Sequence, residues 1–286
     1  MEISLREVDF AYQVAGRRLP VLENININVK PGDFLAVVGA GGSGKTTLAM
    51  VMAGLLEPTS GVVALDGRPM KGRGRKGTAS WYKVGMVFQQ PEQQLFAETV
   101  AEDVAFGPRN MGLRGGELTV RVEKALKMVG LDPREIGKVS PLTLSGGMKR
   151  RVAIAGILAM DPEILILDEP TAGLDPAGRE QILGVIHSFY RRPGKAVVLI
   201  SHNMAEVAAT AREIVVLHRG KIALKGTPRE VFSWGHALKS YGLLPPPITQ
   251  LMQELKELGA EVPLDAITLT EARKAILAWL GEGARG

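Results

Sequence analysis

The chain has 286 residues, 45% hydrophobic and 23% charged, a globular composition that excludes wholesale disorder and predicts about two domains. Its 35 basic and 30 acidic residues leave a net charge of +5, which permits an anionic partner without requiring one. The absence of cysteine excludes disulfides, thiol catalysis and thiolate metal sites, and four scattered histidines form no obvious imidazole site.

The N-terminus, MEISLREVDF, is acidic and lacks an apolar core, so no signal peptide is expected. Alternating apolar residues predict strands over 2–10, 22–29 and 62–65, a half-exposed antiparallel layer. Continuous apolar runs at 34–38 (FLAVV), 164–167 (ILIL) and 196–200 (AVVLI) predict strands buried on both faces, hence a mainly parallel sheet with helices around it. Helices are expected over 46–55, 118–129, 148–159 and 177–190. The one dense basic run, KGRGRK at 71–76, reads as a solvated Gly-rich loop or as a contact for an anionic surface. The longest stretch without Asp, Glu, Lys or Arg, 240–253, contains three prolines and falls short of the about 20 apolar residues of a membrane span.

Composition shifts after about residue 230. The segment LLPPPITQLMQELKELG places a proline brake before an amphipathic helix with Ile248, Leu251, Met252, Leu255 and Leu258, stopped by Gly259. A second helix is expected to start at an N-cap Thr270 and end before Gly281, with Ile276, Leu277 and Leu280 on its apolar face. Residues 231–286 thus read as a small C-terminal addition to a domain spanning 1–230.

Residues 39–46, GAGGSGKT, lie between a strand and a helical run, the context that a phosphate-binding loop requires. Gly39, Gly41, Gly42 and Gly44, with Ser43 among them, let the backbone N–H groups curl inward around phosphate oxygens. The following helix adds its positive end. Lys45 is expected to reach the β- and γ-phosphates, Thr46 to ligate Mg²⁺, and Thr47 to meet the α-phosphate. In ILILDEP, 164–170, Asp168 emerges at the C-terminal end of a strand, where a carboxylate can hold the hydration shell of Mg²⁺. Glu169 follows and can polarise an attacking water as general base. Together the two motifs point to a nucleoside triphosphatase.

LSGGMKRR, 144–151, resembles the signature motif of the ATP-binding cassette (ABC) ATPases. Ser145, Gly146 and Gly147 would cap a helix starting near Met148, with N–H groups suited to an anion. The resemblance covers roughly residues 2–230. It implies an α/β P-loop NTPase fold: a mainly parallel core sheet with helices, an antiparallel β subdomain, and a helical signature subdomain over about 90–160. By the same resemblance Gln89, in GMVFQQPEQQLF, contacts Mg²⁺ and the nucleophilic water, and Asp175, in GLD, reaches across to a partner. His202, in VVLISHNM, touches the γ-phosphate, and Tyr12, in DFAYQ, stacks on adenine. One departure is Met148, where the family usually has Gln. Methionine cannot donate amide hydrogen bonds, so the site is expected to persist with an altered nucleotide contact.

The stretch FQQPEQQLFAETVAEDVAFGPRNMG, 88–112, is more specific. With RRVAIAGILAMDPEILILDEPTAGLDPAGR and the tail GLLPPPITQL, it resembles the ATPases of energy-coupling factor (ECF) transporters and their cobalt and nickel relatives, most of all the second, A-prime, paralogue. That resemblance implies a heterodimer of paralogous ATPases, peripheral on the cytoplasmic face of the membrane. It further implies a transmembrane scaffold, a membrane subunit that captures a vitamin or metal ion, no nucleic acid partner, and a C-terminal segment that holds the ATPase pair together. Each ATP would lie between Lys45-type residues of one subunit and Ser145-type residues of the other. A conventional ABC importer ATPase and a soluble ABC ATPase acting on DNA or ribosomes are the alternatives. Intact Glu169 and His202 argue against a non-catalytic nucleotide-binding module. The acidic stretch 92–103, with Glu92, Glu98, Glu102 and Asp103, reads either as a solvated face or as part of a groove for basic scaffold helices.

Overall fold

The computed structural model describes residues 1–70 and 81–283, so the basic run at 71–76 lies outside the described residues. In chain order the first half contains β1 (Ile3–Val14), β2 (Arg17–Val29), β3 (Phe34–Val38), α1 (Lys45–Met52), β4 (Ser60–Leu65), β5 (Arg68–Pro69), β6 (Val84–Val87), α2 (Val100–Asn110), α3 (Gly115–Met128) and α4 (Pro133–Ile136). Then come α5 (Gly146–Leu158), β7 (Ile164–Asp168), α6 (Pro176–Tyr190), β8 (Ala196–Ile200), α7 (Met204–Thr210), β9 (Glu213–His218), β10 (Lys221–Gly226), α8 (Pro228–Ser233), α9 (Gly235–Ser240), α10 (Pro247–Glu257) and α11 (Leu269–Gly283).

Two sheets organise the core. One has strand order β2-β1-β4-β5 and is antiparallel throughout, as the alternating pattern predicts. Its first hairpin turns at Ala15 and Gly16, both with positive φ, the geometry that matches strand twist in a two-residue turn. The other sheet runs β10-β9-β3-β8-β7-β6, with every pair parallel except β10 against β9. Every residue of FLAVV, ILILD and AVVLI is buried. Burying each large aliphatic side chain contributes about 1.5–3 kcal/mol, which explains why these runs are continuously apolar.

One face of the parallel sheet packs with the antiparallel layer and α1, through residues such as Val37, Ile166, Leu48 and Ile25. The opposite face, with Leu165, Leu167 and Val197, shares a cluster with Val104, Leu126, Val152 and Ala155 of the helical lobe. Gly85 on β6 permits this closeness, because a Cβ there would come within 2.6 Å of Ile157 Cγ2 on α5.

The C-terminal region departs from the sequence expectation in two ways. Val231, Phe232 and Leu238 are buried against Ala36, Val38, Ile214 and Val216, so the stretch after residue 230 continues the core, and that boundary falls inside α8. A separate small cluster forms only later, around Met252, Ala260, Val262, Ala266 and Ala272. Helix α11 is capped by Thr268 rather than Thr270: Thr268 Oγ1 accepts from Glu271 N, while the Glu271 carboxylate accepts from Thr268 N. The helix's buried face carries Ala272, Ile276 and Trp279, and Leu277 and Leu280 are more than half exposed. On α10, Met252 is buried, whereas Leu251 is exposed and so is Leu258 just beyond the helix. Among the described residues no helix is long and apolar enough to cross a membrane.

Candidate functional site

The loop between β3 and α1 is shaped by close backbone approach. A side chain at Gly39 would collide with the Leu217 carbonyl, and Gly44 enters α1 at φ 103°, a left-handed conformation natural to glycine. Lys45 folds back over this loop, Nζ donating to Gly39 O at 2.7 Å and Ala40 O at 3.0 Å. Burial lowers its pKa, while the carboxylates of Glu169 and Asp168 oppose that shift. Ser43 Oγ is buried with no hydrogen-bond partner among the described residues, and open space surrounds the Cβ positions of Gly41 and Gly42. A buried orphan hydroxyl beside an open glycine cradle fits an anion such as a phosphate.

Across the sheet, Thr46 Oγ1 donates to Asp168 Oδ2 at 2.6 Å. Burial pushes the Asp168 carboxyl above its ordinary range; the Thr46 hydroxyl opposes this, and Glu169 adds to it. Glu169 is buried in a left-handed backbone conformation, φ 50°, held by its N–H donating to Ile200 O at 2.9 Å. Strained backbone of this kind persists only where neighbours over-determine it. Glu169 Oε2 lies 2.7 Å from Nδ1 of His202, whose ring is largely exposed. Lys45, Thr46, Asp168, Glu169 and His202 therefore meet where β3, β7 and β8 end.

The remaining candidates are distributed around this centre. The Thr47 hydroxyl lies 3.4 Å from the Tyr12 hydroxyl, and Tyr12 packs edge-on against Phe10. Gln89 is exposed on the loop after β6, whose Val87 pairs with Leu167, so it stands near the same sheet end. Ser145 caps α5, accepting from Met148 N at 3.3 Å, and nothing obstructs the surface over Gly146 and Gly147. This signature segment belongs to the helical lobe and makes no hydrogen bond to the phosphate-type loop. Met148 is half-buried against the lobe's apolar cluster, which gives its side chain a packing role there. Asp175 caps α6, accepting from Gly178 N at 2.7 Å.

Several polar residues lie outside the motif reading. Arg150 is only 5% exposed. Its Nη1 donates to Pro170 O at 3.3 Å and Ala172 O at 2.6 Å, and its Nε and Nη2 engage Glu92. The available signal was its helical phase: Arg150, Ile154 and Leu158 share one face of α5. Glu206, Thr171 and Arg179 also form a cluster beside the site.

The acidic stretch is mostly satisfied within the chain. Glu92 pairs with Arg150, Asp103 accepts from the N–H groups of Phe96 and Ala97, and Glu102 exchanges hydrogen bonds with Thr99 at the start of α2. Only Glu98 of the four is solvent-facing without such a contact among the described residues. Of these carboxylates Asp103 also lines the neighbouring cleft. That cleft, about 280 Å³, is lined mainly by apolar groups including Met86, Phe88, Leu95, Phe106 and Met160.

A family profile described as ABC transporter matches residues 22–172. The chain is 45% identical over 256 residues to the energy-coupling factor transporter ATP-binding protein EcfA2 of Clostridium tetani, covering 90% of this chain and 89% of that one. It is likewise 45% identical to EcfA2 of Caldanaerobacter subterraneus subsp. tengcongensis, covering 98% of each chain. The solved structure of cbiO1 from Clostridium perfringens, part of the ABC transporter complex cbiONQ, superposes with a TM-score of 0.72 at 33% identity, covering 90% of this chain and 97% of that one.

Proposed function

From the premise that this chain belongs to the ABC transporter family, as an ATP-binding and ATP-hydrolysing subunit of the ECF type, we propose how its residues divide the work. The loop from Gly39 to Thr47 binds the phosphates of ATP, with Lys45 swinging from the Gly39 and Ala40 carbonyls to the phosphate oxygens. Glu169 accepts the proton of the attacking water, and His202 orients the carboxylate from 2.7 Å. Tyr12 flanks the adenine, and Gln89 senses the site from the edge of the sheet.

The Thr46 hydroxyl and Asp168 carboxylate are hard oxygen donors side by side, a set that suits Mg²⁺. With Gln89 they would hold the ion, whose charge would offset that of the phosphate oxygens.

The observation that carries this reading is the pairing of a buried, backbone-strained Glu169 with His202, one residue beyond the Asp168 that Thr46 engages. Ser145, Gly146, Gly147 and Asp175 lie apart from that centre in this chain. We assign them to the nucleotide held mainly by a paralogous ATPase, which makes the working unit a heterodimer. In this reading residues 1–230 with α8 and α9 form the ATPase domain, and the small cluster around Met252 builds the segment that joins the pair. The assembly sits on the cytoplasmic face of the membrane, on a transmembrane scaffold served by a subunit that captures a vitamin or transition-metal ion. Its coupling surface is the apolar cleft around Phe88 and Phe106.

The test is Glu169→Gln in an assembled complex whose other ATPase site is disabled. ATP binding should persist while turnover falls about 10²–10⁴-fold, the usual worth of general-base assistance. Near-wild-type turnover would reject Glu169 as the base.

A further inference from the structure

Glu206 lies in the first turn of α7, 5% exposed, and none of the roles above uses it. Thr171 Oγ1 donates to its Oε2 at 2.8 Å, and Asn203 Nδ2 donates to its Oε1 at 3.2 Å. Arg179 Nε lies 3.1 Å from Oε1, close enough to pair in charge although its N–H is not aligned for a hydrogen bond. The three partners come from three different segments. Thr171 is two residues past Glu169, Asn203 directly follows His202, and Arg179 lies on α6 four residues past Asp175.

A helix-capping role would be the ordinary use of this residue. Asn203 caps α7, accepting from Ala205 N and Glu206 N, and Glu206 occupies the position from which a carboxylate reaches back to the cap's own N–H. It does not do so. The Asn203 N–H donates to Ser201 Oγ, and the Glu206 carboxyl turns to Thr171 instead. Thr171 is itself buried and tied to the catalytic carboxylate's turn, since Ala172 N donates to Glu169 O and Leu174 N to Thr171 O.

We propose that Glu206 is a positioning residue for ATP hydrolysis: its carboxylate joins the turn after Glu169 to the residue after His202, and so holds the Glu169–His202 contact in register. This inference rests on the assignment of Glu169 and His202 above. Asn203 Nδ2, Thr171 Oγ1 and the Arg179 guanidinium all face the carboxyl, two as hydrogen-bond donors and one as a charge partner. A carboxamide would lose the charge that faces Arg179 and would have to reverse the Thr171 hydrogen bond. Glu206 touches no reacting atom and acts only through the two segments that it ties.

Steady-state MgATP hydrolysis by the complete transporter complex with its other ATPase site disabled, paired with titration of a fluorescent ATP analogue, tests the proposal. Glu206→Gln and Thr171→Val should each lower kcat about 10- to 10²-fold, the effect of misplacing a catalytic group by about 1 Å. KM and analogue affinity should stay within about twofold, since the phosphate loop is untouched. The double variant should fall no further than the worse single one, because both changes break the same tie. If Glu206→Gln does not fold, Thr171→Val carries the test alone. Folded variants with wild-type kcat, or with kcat and ATP affinity falling together, would overturn the proposal. Glu169→Gln run alongside separates the two levels: hydrolysis persisting there sinks the underlying assignment, whereas its loss beside normal Glu206 variants sinks only the tie.

Discussion

Arg150 and Glu92 meet in a two-point ion pair, Nε to Oε2 and Nη2 to Oε1, both at 3.1 Å. The pair joins the helix that follows Ser145 to the loop that follows Gln89. The same guanidinium donates to the carbonyls of Pro170 and Ala172, just past Glu169. One side chain thus bridges three segments of the candidate site.

The two ends of this pair should respond unequally to mutation. Arg150 is 6% exposed at its side chain and Glu92 is 25% exposed. Glu92→Ala strands a buried guanidinium with two carbonyl partners, whereas Arg150→Ala strands a carboxylate that water can reach. Breaking buried pairs costs about 3–5 kcal/mol, and partial hydration lowers that cost. Glu92→Ala should therefore cost about 3 kcal/mol and Arg150→Ala nearer 2 kcal/mol plus lost packing. Urea denaturation of both variants measures this; a negligible loss in Glu92→Ala would contradict the geometry.

Lys45→Ala should weaken ATP binding by about tenfold or more, because a charge-assisted hydrogen bond contributes about 1.5–3 kcal/mol. Its effect on stability should be small, since the ammonium is half-buried and its partners Gly39 O and Ala40 O can be hydrated. Titration with a fluorescent ATP analogue and a thermal melt separate the two effects. Unchanged affinity in the presence of Mg²⁺ would remove Lys45 from the phosphate site.

Met252→Ala should destabilise the C-terminal cluster by about 2–5 kcal/mol, the usual cost of truncating a fully buried long side chain. The ATPase core is packed around separate clusters, so amide exchange should accelerate in α10 and α11 before it does in β3, β7 or β8. Uniform acceleration along the chain would mean that the C-terminal cluster does not open on its own.

Glu271 should titrate well below the usual glutamate range. The Arg229 guanidinium beside it, with the N–H groups of Ile267 and Thr268, lowers its pKa to about 2. Because the folded pKa is depressed, the stabilisation is complete above the ordinary glutamate value of 4.5 and is lost as pH falls toward 2. Both side chains are substantially exposed, so the energetic gain is screened by solvent. Carboxyl NMR should place the Glu271 midpoint near 2 in the wild type and closer to the ordinary glutamate value in Arg229→Ala. A midpoint that Arg229→Ala leaves in place would assign the shift to the helix cap instead.

By itself the sequence determined the parallel core and the glycine-rich loop, because their causes are local. Short apolar runs rich in branched residues and closed by Gly or a polar residue favour strands buried on both faces, and GAGGSGKT carries its turn and helix signals within eight residues. The Asp168–Glu169 pair was legible for the same reason, since it directly ends such a strand. Tertiary structure alone decided the partners of the charged residues. Glu92 and Glu206 look like surface carboxylates in sequence, and they are engaged only because Arg150 and Thr171 arrive from 58 and 35 residues away. It also decided the phase of α11, where small Ala272 sits against the core while larger Leu277 and Leu280 face outward. Periodicity weighs side chains by their hydrophobicity, but helix packing selects the residue that lets two backbones approach, and that depends on the neighbour each helix meets.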